Sequence, residues 1–188
     1  MKINICIPVF NEEENLPSFL TNLNKFMTDF FSDEITLEVI FYNDGSTDGS
    51  LELLKNCEYT VIGELNNKGL GHALNMLFNH SAQQNVDGVI KLDCDGQMDI
   101  NEIHLFLQKI NNEQVDLIQG NRFNVSKDFK FGFIKKIGIT FFRLFLRLFG
   151  IKVNDSTNGF IFVSKKWLEG YKIIGSYNGA QQILLDAK

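Results

Sequence analysis

The chain has 188 residues, of which 44% are hydrophobic and 22% are charged, and its formal net charge is −5. This size suits one globular domain with a sizeable core. No apolar run reaches the roughly 18 to 20 residues that cross a bilayer, and the N-terminus lacks the long apolar stretch of a signal peptide, so we expect a cytoplasmic protein. The three cysteines are an odd number at irregular spacing, which favours reduced thiols over a disulfide framework or a zinc site.

Apolar runs that predict strands alternate with helical periodicities along the chain. The first strand is predicted at 3–10, and a helix with Pro17 near its start follows from Leu16. Turn residues after the second strand precede a helix that Ser46 or Thr47 could cap. Strands that alternate with helices predict an α/β fold with a mostly parallel central sheet flanked by helices. The remaining strands are predicted at 35–42, 59–65, 89–92, 116–120 and 159–163, with helices after Gly69 and over 103–110.

Polar side chains follow each of the first five predicted strands. In parallel α/β sheets, ligands bind outside the carboxyl ends of the strands. The sequence therefore predicts one site along this edge, and the alternative is a set of structural caps and turns. The polar groups are Asn11-Glu12, Asn43-Asp44, Asn66-Asn67-Lys68, Asp93 with Asp95, and Gly120-Asn121-Arg122.

Two acids separated by one residue, Asp93 and Asp95, end the fourth predicted strand. Their repulsion needs a positive charge nearby, and oxygen ligands without His or thiolate favour magnesium or manganese over zinc. Gln97 would add a neutral oxygen, and a phosphorylated ligand would complete the shell, since magnesium commonly recruits substrate phosphates. An EF-hand calcium loop is not supported, because Gly96 comes too early and the twelfth position carries no glutamate.

The charge is unevenly distributed along the chain. Residues 122–152 contain eight basic residues and one acid, a local charge of +7, and they include all three arginines: Arg122, Arg143 and Arg147. Arg143 and Arg147 lie on one cationic stripe of an otherwise apolar predicted helix, which favours burial or a membrane interface. The asymmetry indicates an anionic partner, and a solvated basic face on a core helix is the alternative.

Six short blocks, in order along the chain, carry a resemblance to a known family. They are IPVFNEEENLP, NDGSTDGS, KGLGHALN, DCDGQMD, GNRF and DSTNGF. Together they resemble the family 2 glycosyltransferases, and within that family the polyprenyl-phosphate branch typified by dolichyl-phosphate mannose synthase. The resemblance implies a GT-A fold, a UDP- or GDP-sugar donor, and inversion at the anomeric carbon.

The resemblance also implies roles for individual residues on the donor side. Asp95 and Gln97 match the ligands of Mn²⁺ or Mg²⁺, and a bound cation would stabilise charge on the departing diphosphate. The residues that match the donor nucleotide contacts are Pro8, Phe10, Asn11, Glu12, Asp44, Gly69, Gly71 and Asp93.

On the acceptor side the resemblance implies two catalytic residues, Arg122 as a phosphate contact and Asp155 as the acid of the acceptor block. Arg143 and Arg147 would lie on an interfacial helix that meets a polyprenyl phosphate and an anionic membrane surface. A lipid phosphate is already anionic and needs a cationic clamp, whereas a sugar hydroxyl needs a carboxylate base, for which Asp155 is the candidate. No acid occurs in residues 170–185, which favours the lipid phosphate.

We therefore expect a single glycosyltransferase domain over residues 1–188, with a nucleotide-sugar half at 1–120 and an acceptor half at 121–188. The acceptor half ends earlier than is usual in the family, as either a short natural protein or a truncated one would. The enzyme would lie peripherally on the cytosolic membrane face, without a nucleic-acid partner. Transfer to a saccharide hydroxyl and a catalytically silent nucleotide-sugar module are the alternatives. A nucleotidyltransferase is disfavoured, because PVFNEEEN has no glycine or basic residue after the first strand.

Overall fold

The computed structural model describes residues 1–121 and 158–170, which form an α/β fold around a six-stranded sheet. The predicted fold class is confirmed, and the elements lie within a few residues of their predicted places. In chain order they are β1 (Lys2–Val9), α1 (Leu16–Asp29), β2 (Thr36–Asp44), α2 (Ser50–Lys55), β3 (Thr60–Glu64), α3 (Leu70–Gln83), β4 (Gly88–Lys91), a 3-10 turn (Ile100–Glu102), α4 (Ile103–Asn112), β5 (Leu117–Gln119), β6 (Ile161–Ser164) and α5 (Lys165–Glu169).

The strands of the sheet lie in the order β3-β2-β1-β4-β6-β5. β1 pairs in parallel with β2 and with β4, and β2 pairs in parallel with β3. β6 runs antiparallel to both of its neighbours, β4 and β5. The predicted mostly parallel sheet is confirmed, with the sixth strand inserted between the fourth and the fifth.

The central strands divide their side chains between two core layers, because successive residues of a strand point to opposite faces. In β1, Ile5 and Ile7 pack in the layer that contains the buried face of α1, whereas Cys6 packs in the layer that contains α3. Phe41 and Tyr42 of β2 divide in the same way. Burial on both faces explains why these strands are near-continuous apolar runs in the sequence.

The first helix follows the predicted apolar spacing. Leu16, Phe19, Leu23 and Phe26 are its buried residues, and Pro17 lies in the first turn, where the missing N–H group would have no partner within the helix. The buried face of α1 joins the same core layer as the odd-numbered residues of β1. α1 thereby covers one face of the sheet beside the strand ends that carry the polar clusters.

One predicted cap is wrong. α2 begins at Ser50, with Gly49 at the N-cap position and no side-chain cap hydrogen bond. Ser46 and Thr47 bond instead to Asn11 in the loop that follows β1. Their hydroxyl and amide groups therefore join two loops rather than start a helix.

The apolar helix with the cationic stripe, predicted over 134–149, lies outside the described residues. Among residues 1–121 and 158–170, no helix has both the length and the apolar character that a membrane span needs. The prediction of a membrane-facing helix stays a prediction.

Candidate functional site

The carboxyl ends of β1, β2 and β4 border a cavity of about 490 Å³. Because the three strands are parallel neighbours, the residues that follow them converge at this edge. Six of the eight residues predicted to contact the donor lie there, together with the predicted metal ligand Asp95. The lining residues are Pro8, Val9, Phe10, Glu12, Asp44, Asn67, Gly69, Leu70, Ala73, Asp93, Cys94 and Asp95.

The fifth predicted strand end does not join this cavity. Gly120 and Asn121 follow β5, which is separated from β4 by the inserted strand β6. Gly120 lies instead against Asn158, whose Nδ2 would be 2.8 Å from a Cβ atom added at Gly120. Since Asn67 after β3 also lines the cavity, the described part of the site is built from the ends of four strands, β1 to β4, rather than five.

An exposed aromatic ring lines the cavity. Phe10 keeps 44% of its surface exposed, and Leu70 on the first turn of α3 keeps 37%. Both residues line the cavity beside acidic side chains. An apolar ring next to carboxylates offers a flat face for stacking and hydrogen-bond acceptors for hydroxyl groups.

Two predicted donor residues do not line the cavity. Gly71 is buried in the first turn of α3. Asn11 adopts a positive φ of 54°, and its Oδ1 accepts a hydrogen bond of 2.8 Å from the Thr47 backbone N–H. The Asn11 backbone N–H donates in turn to Ser46 Oγ at 3.1 Å. Asn11 therefore connects the loop after β1 to the loop after β2.

Further hydrogen bonds fasten these two loops together. The backbone N–H of Glu12 donates to Ser50 Oγ at 2.8 Å, and that of Glu13 donates to Asp48 Oδ2 at 3.1 Å. Glu13 Oε2 accepts from the Gly49 backbone N–H at 2.8 Å. Loops held by reciprocal hydrogen bonds lose little further entropy when a ligand binds, which favours a preorganised site.

Asp44 holds the start of α3. Its Oδ1 accepts from the Lys68 backbone N–H at 3.0 Å, and its Oδ2 accepts from the Gly69 backbone N–H at 2.7 Å. The residue is buried, at 3% exposure. Both carboxylate oxygens therefore support the loop that lines the cavity, which gives Asp44 a structural role beside its predicted contact with the donor.

Lys91 is a functional candidate that the sequence analysis missed. Its ammonium group lies 2.6 Å from Asp93 Oδ1, and the Lys91 side chain is 3% exposed. The charge that offsets Asp93 is therefore supplied at least in part by the chain itself. The available signal was a lysine at the end of the apolar run of β4, since a buried charge needs a partner.

Cys94 lies between Asp93 and Asp95 in the chain and lines the cavity with them. It is 2% exposed, and burial, followed by the nearby carboxylates of Glu12 and Asp93, raises the pKa of its thiol to about 12. The thiol is therefore protonated at neutral pH and acts as a small apolar group. Cys6, Cys57 and Cys94 are all free, as the sequence predicted.

The predicted metal ligands lie on two sides of one loop. Asp95 lines the first cavity, and its Oδ1 accepts a hydrogen bond of 3.0 Å from the Gln97 backbone N–H. The Gln97 residue lines a second cavity of about 490 Å³, which Asn15, Phe19 and Asn158 also border. The predicted pairing of the Gln97 side-chain oxygen with Asp95 stays a prediction.

The donor set fits a hard cation that is bound together with a ligand. Within residues 1–121 and 158–170, no group of three or more His, Cys, Asp or Glu side chains is arranged to hold a metal ion. Asp95 offers carboxylate oxygens, while Asp93 Oδ1 is engaged by Lys91. A divalent cation here would take most of its remaining ligands from water and from the bound phosphates, as magnesium commonly does.

The predicted acceptor residues lie outside the described part of the chain. These are the two catalytic candidates Arg122 and Asp155 and the two membrane candidates Arg143 and Arg147. Their roles therefore stay predictions, as does the division of the chain into a half at 1–120 and a half at 121–188.

Solved structures share the arrangement of the sheet and helices. Glucosyl-3-phosphoglycerate synthase from Mycobacterium tuberculosis, in complex with Mn²⁺, UDP and glucosyl-3-phosphoglycerate, aligns over 98% of this chain and 64% of its own, at 18% identity and a TM-score of 0.69. TarS 1-349 from S. aureus, in complex with UDP-GlcNAc, aligns over 100% of this chain and 53% of its own, at 16% identity and a TM-score of 0.64. Likeness at these identities shows the fold, and it confirms the predicted GT-A fold.

Sequence relatives cover nearly all of the chain. Bactoprenol glucosyl transferase of Shigella phage SfV is 26% identical over 183 residues, which are 95% of this chain and 57% of the relative. The chain thus spans little more than half the length of that relative. The family model for Glycosyl transferase family 2 matches residues 4–171, and on this match the chain belongs to glycosyl transferase family 2.

Proposed function

We propose that the protein is an inverting glycosyltransferase that moves a sugar from a nucleoside-diphosphate donor to a polyprenyl phosphate. The observation that carries the proposal is the cavity at the carboxyl ends of β1, β2 and β4, where Asp93 and Asp95 share one space with the exposed ring of Phe10. Family membership supports the reaction class. The bactoprenol glucosyl transferase relative supports the acceptor class.

The donor nucleotide would lie along this cavity. The Phe10 ring offers a stacking face for the base, and the carboxylates of Glu12 and Asp93 accept hydrogen bonds from ribose hydroxyls. Glu12 is held for this task, since its Oε2 accepts a hydrogen bond of 2.7 Å from Asn15 Nδ2. Both solved relatives were bound to uridine nucleotides, which makes UDP the first nucleotide to test and GDP the second.

The chemical step breaks the bond between the sugar and the diphosphate. When bound, a divalent cation supplies positive charge to the departing diphosphate. Asp95 is the proposed protein ligand, with Gln97 as the second, and Mn²⁺ is present in the glucosyl-3-phosphoglycerate synthase structure. Inversion requires the acceptor oxygen to approach from the face of the sugar opposite the diphosphate.

The proposed acceptor is already anionic and needs no general base. Arg122 would hold the lipid phosphate, because a guanidinium group binds phosphate oxygens in a bidentate manner. Arg143 and Arg147 would hold the enzyme on the anionic cytosolic membrane face, where each basic residue contributes about 1 kcal/mol. This part of the proposal rests on the charge of +7 over residues 122–152.

Calorimetry tests the donor site. The unmutated protein should bind UDP or GDP more tightly with Mn²⁺ than with a chelator, and Asp95→Asn should lose most of that difference, because one anionic oxygen of a hard-cation site is removed. Asp29→Asn, an exposed acid at the end of α1, is the control and should bind as the unmutated protein does. Equal affinity with Mn²⁺ and with chelator in the unmutated protein would exclude the metal.

Liposome flotation and a transfer assay test the acceptor. Binding should increase with anionic lipid and fall only partly at high salt, since apolar insertion is insensitive to salt. Arg143→Glu with Arg147→Glu should abolish most liposome binding and spare nucleotide binding, whereas Arg122→Ala should impair transfer and spare liposome binding. If the unmutated protein ignores liposomes and glycosylates a soluble saccharide, the acceptor is a hydroxyl and Asp155 becomes the candidate base.

A further inference from the structure

Lys91 occupies an unusual place for a lysine. It is the last residue of β4, and its backbone pairs with Cys6 of β1 on one side and with Ile161 of β6 on the other. The residue is 2% exposed. Burial of an ammonium group at the centre of a sheet is costly unless the charge is paired, and the partner here is Asp93 Oδ1 at 2.6 Å.

The surroundings hold the Asp93 carboxylate in one place. A Cβ atom added at Gly159 would lie 2.5 Å from Lys91 Nζ and 2.8 Å from Asp93 Oδ2. Only a residue without a side chain leaves room for the ion pair at that point. On the other side, the Asp93 backbone N–H donates to Met98 Sδ at 3.3 Å. The position of Asp93 is thus defined by its charge partner, by a close backbone and by its own N–H group.

The carboxylates of Asp93 and Asp95 consequently have different partners. Asp93 has one carboxylate oxygen engaged by a buried cation, whereas Asp95 Oδ1 accepts a hydrogen bond from the neighbouring Gln97 backbone. Both acids line the same cavity. An ammonium group on Asp93 competes directly with a metal ion for that carboxylate, and it does not contact Asp95 through any hydrogen bond or ion pair that the described structure contains.

We propose that Lys91 is a positioning residue of the donor site, which reserves Asp93 for the hydroxyl groups of the donor and leaves Asp95 as the acid that a divalent cation uses. The inference rests on the proposed function, since it assigns different roles to two acids of the proposed donor site. Its consequence is that part of the nucleotide affinity does not depend on metal. Removal of the ammonium group shifts the site toward metal dependence, because Asp93 becomes a second free carboxylate.

Lys91→Met tests this division, because methionine keeps an unbranched side chain and removes the charge. UDP affinity measured by calorimetry in chelator should fall about tenfold or more. The ratio of UDP affinity with Mn²⁺ to UDP affinity with chelator should be larger for Lys91→Met than for the unmutated protein. Lys2→Met is the matched control, since Lys2 pairs with Glu38 at 3.0 Å on the surface. It should leave both affinities unchanged.

A second variant keeps the test decisive if Lys91→Met folds poorly. Lys91→Met with Asp93→Asn removes both charges and so leaves no buried charge unpaired. This variant should fold, bind UDP weakly in chelator, and gain no more from Mn²⁺ than the unmutated protein gains. Wild-type affinity in chelator for the double variant would overturn the inference.

The remaining outcomes separate the inference from the proposed function. If Lys91→Met loses the same factor of affinity with Mn²⁺ as with chelator, Lys91 acts only on the structure of the sheet, and the inference fails while the proposed function stands. If the unmutated protein binds neither UDP nor GDP under any condition, the proposed function fails and the inference fails with it.

Discussion

Replacement of Asp44 by alanine should destabilise the protein before any ligand is added. The Asp44 carboxylate accepts backbone hydrogen bonds from Lys68 at 3.0 Å and from Gly69 at 2.7 Å. Hydrogen bonds to charged groups contribute about 1.5–3 kcal/mol each, and truncation leaves both N–H groups without their acceptor. Asp44→Ala should therefore lower the free energy of unfolding by roughly 3–5 kcal/mol.

Thermal denaturation without ligand resolves a loss of this size. In a chain of this length each kcal/mol shifts the melting temperature by about 2–4 °C, so the expected shift is about 6 °C or more. Asp87→Ala is the matched control, because Asp87 Oδ2 accepts one exposed backbone hydrogen bond, from Lys2 at 2.7 Å. The control should lower the free energy of unfolding by less than about 1.5 kcal/mol.

The same variants separate a structural role of Asp44 from a purely ligand-binding one. UDP affinity of Asp44→Ala should also fall, because Gly69 lines the cavity and its loop loses its anchor. An Asp44→Ala protein that melts within about 2 °C of the unmutated protein and loses only nucleotide affinity would refute the structural reasoning. Asp44 would then be a ligand contact whose backbone hydrogen bonds contribute little.

Three further predictions follow from single sites. Gly45→Ala should destabilise the protein by more than about 2 kcal/mol in urea unfolding, because Gly45 has a φ of +66° and an added Cβ atom would lie 2.4 Å from the Asn66 backbone. Iodoacetamide at about pH 8 should label Cys57 and spare Cys94, as seen by peptide mass spectrometry, because burial raises the pKa of Cys94 to about 12. Hydrogen bonds from Lys68 and then His72 lower the pKa of Glu64 below its ordinary value of 4.5. Glu64→Gln should therefore lower the free energy of unfolding above pH 4.5, and the difference from the unmutated protein should disappear as the pH falls below 4.5.

The elements, and the convergence of most predicted donor residues on one cavity, could be predicted from the sequence because both depend on local signals. Apolar runs such as 3–10 and helical spacing such as that from Leu16 are properties of neighbouring residues. Parallel strands then bring their carboxyl ends to one edge regardless of side-chain detail. Convergence of Phe10, Asp44 and Asp95 on one cavity follows from those two rules.

Features set by long-range pairing could not be predicted in the same way. The insertion of β6 between β4 and β5 is a contact between segments far apart in the chain, and it removes the end of β5 from the cavity. The role of Asp44 is similar, since a turn-rich sequence predicts a loop but does not show that both carboxylate oxygens hold the N–H groups of residues 68 and 69. In each case the partner lies at least 20 residues away.

The pairing of Lys91 with Asp93 was accessible from the sequence by a stricter use of the same rules. Residues two apart in an extended segment point to the same side, and a charge within an apolar run needs a partner. The charge count of the three side chains then bears on the proposed function. Lys91, Asp93 and Asp95 together carry −1, so a divalent cation leaves the cluster with a net charge of +1 and an attraction for the donor diphosphate. Without Lys91 the two acids carry −2, so the site repels the diphosphate in chelator and depends on the cation to offset that charge.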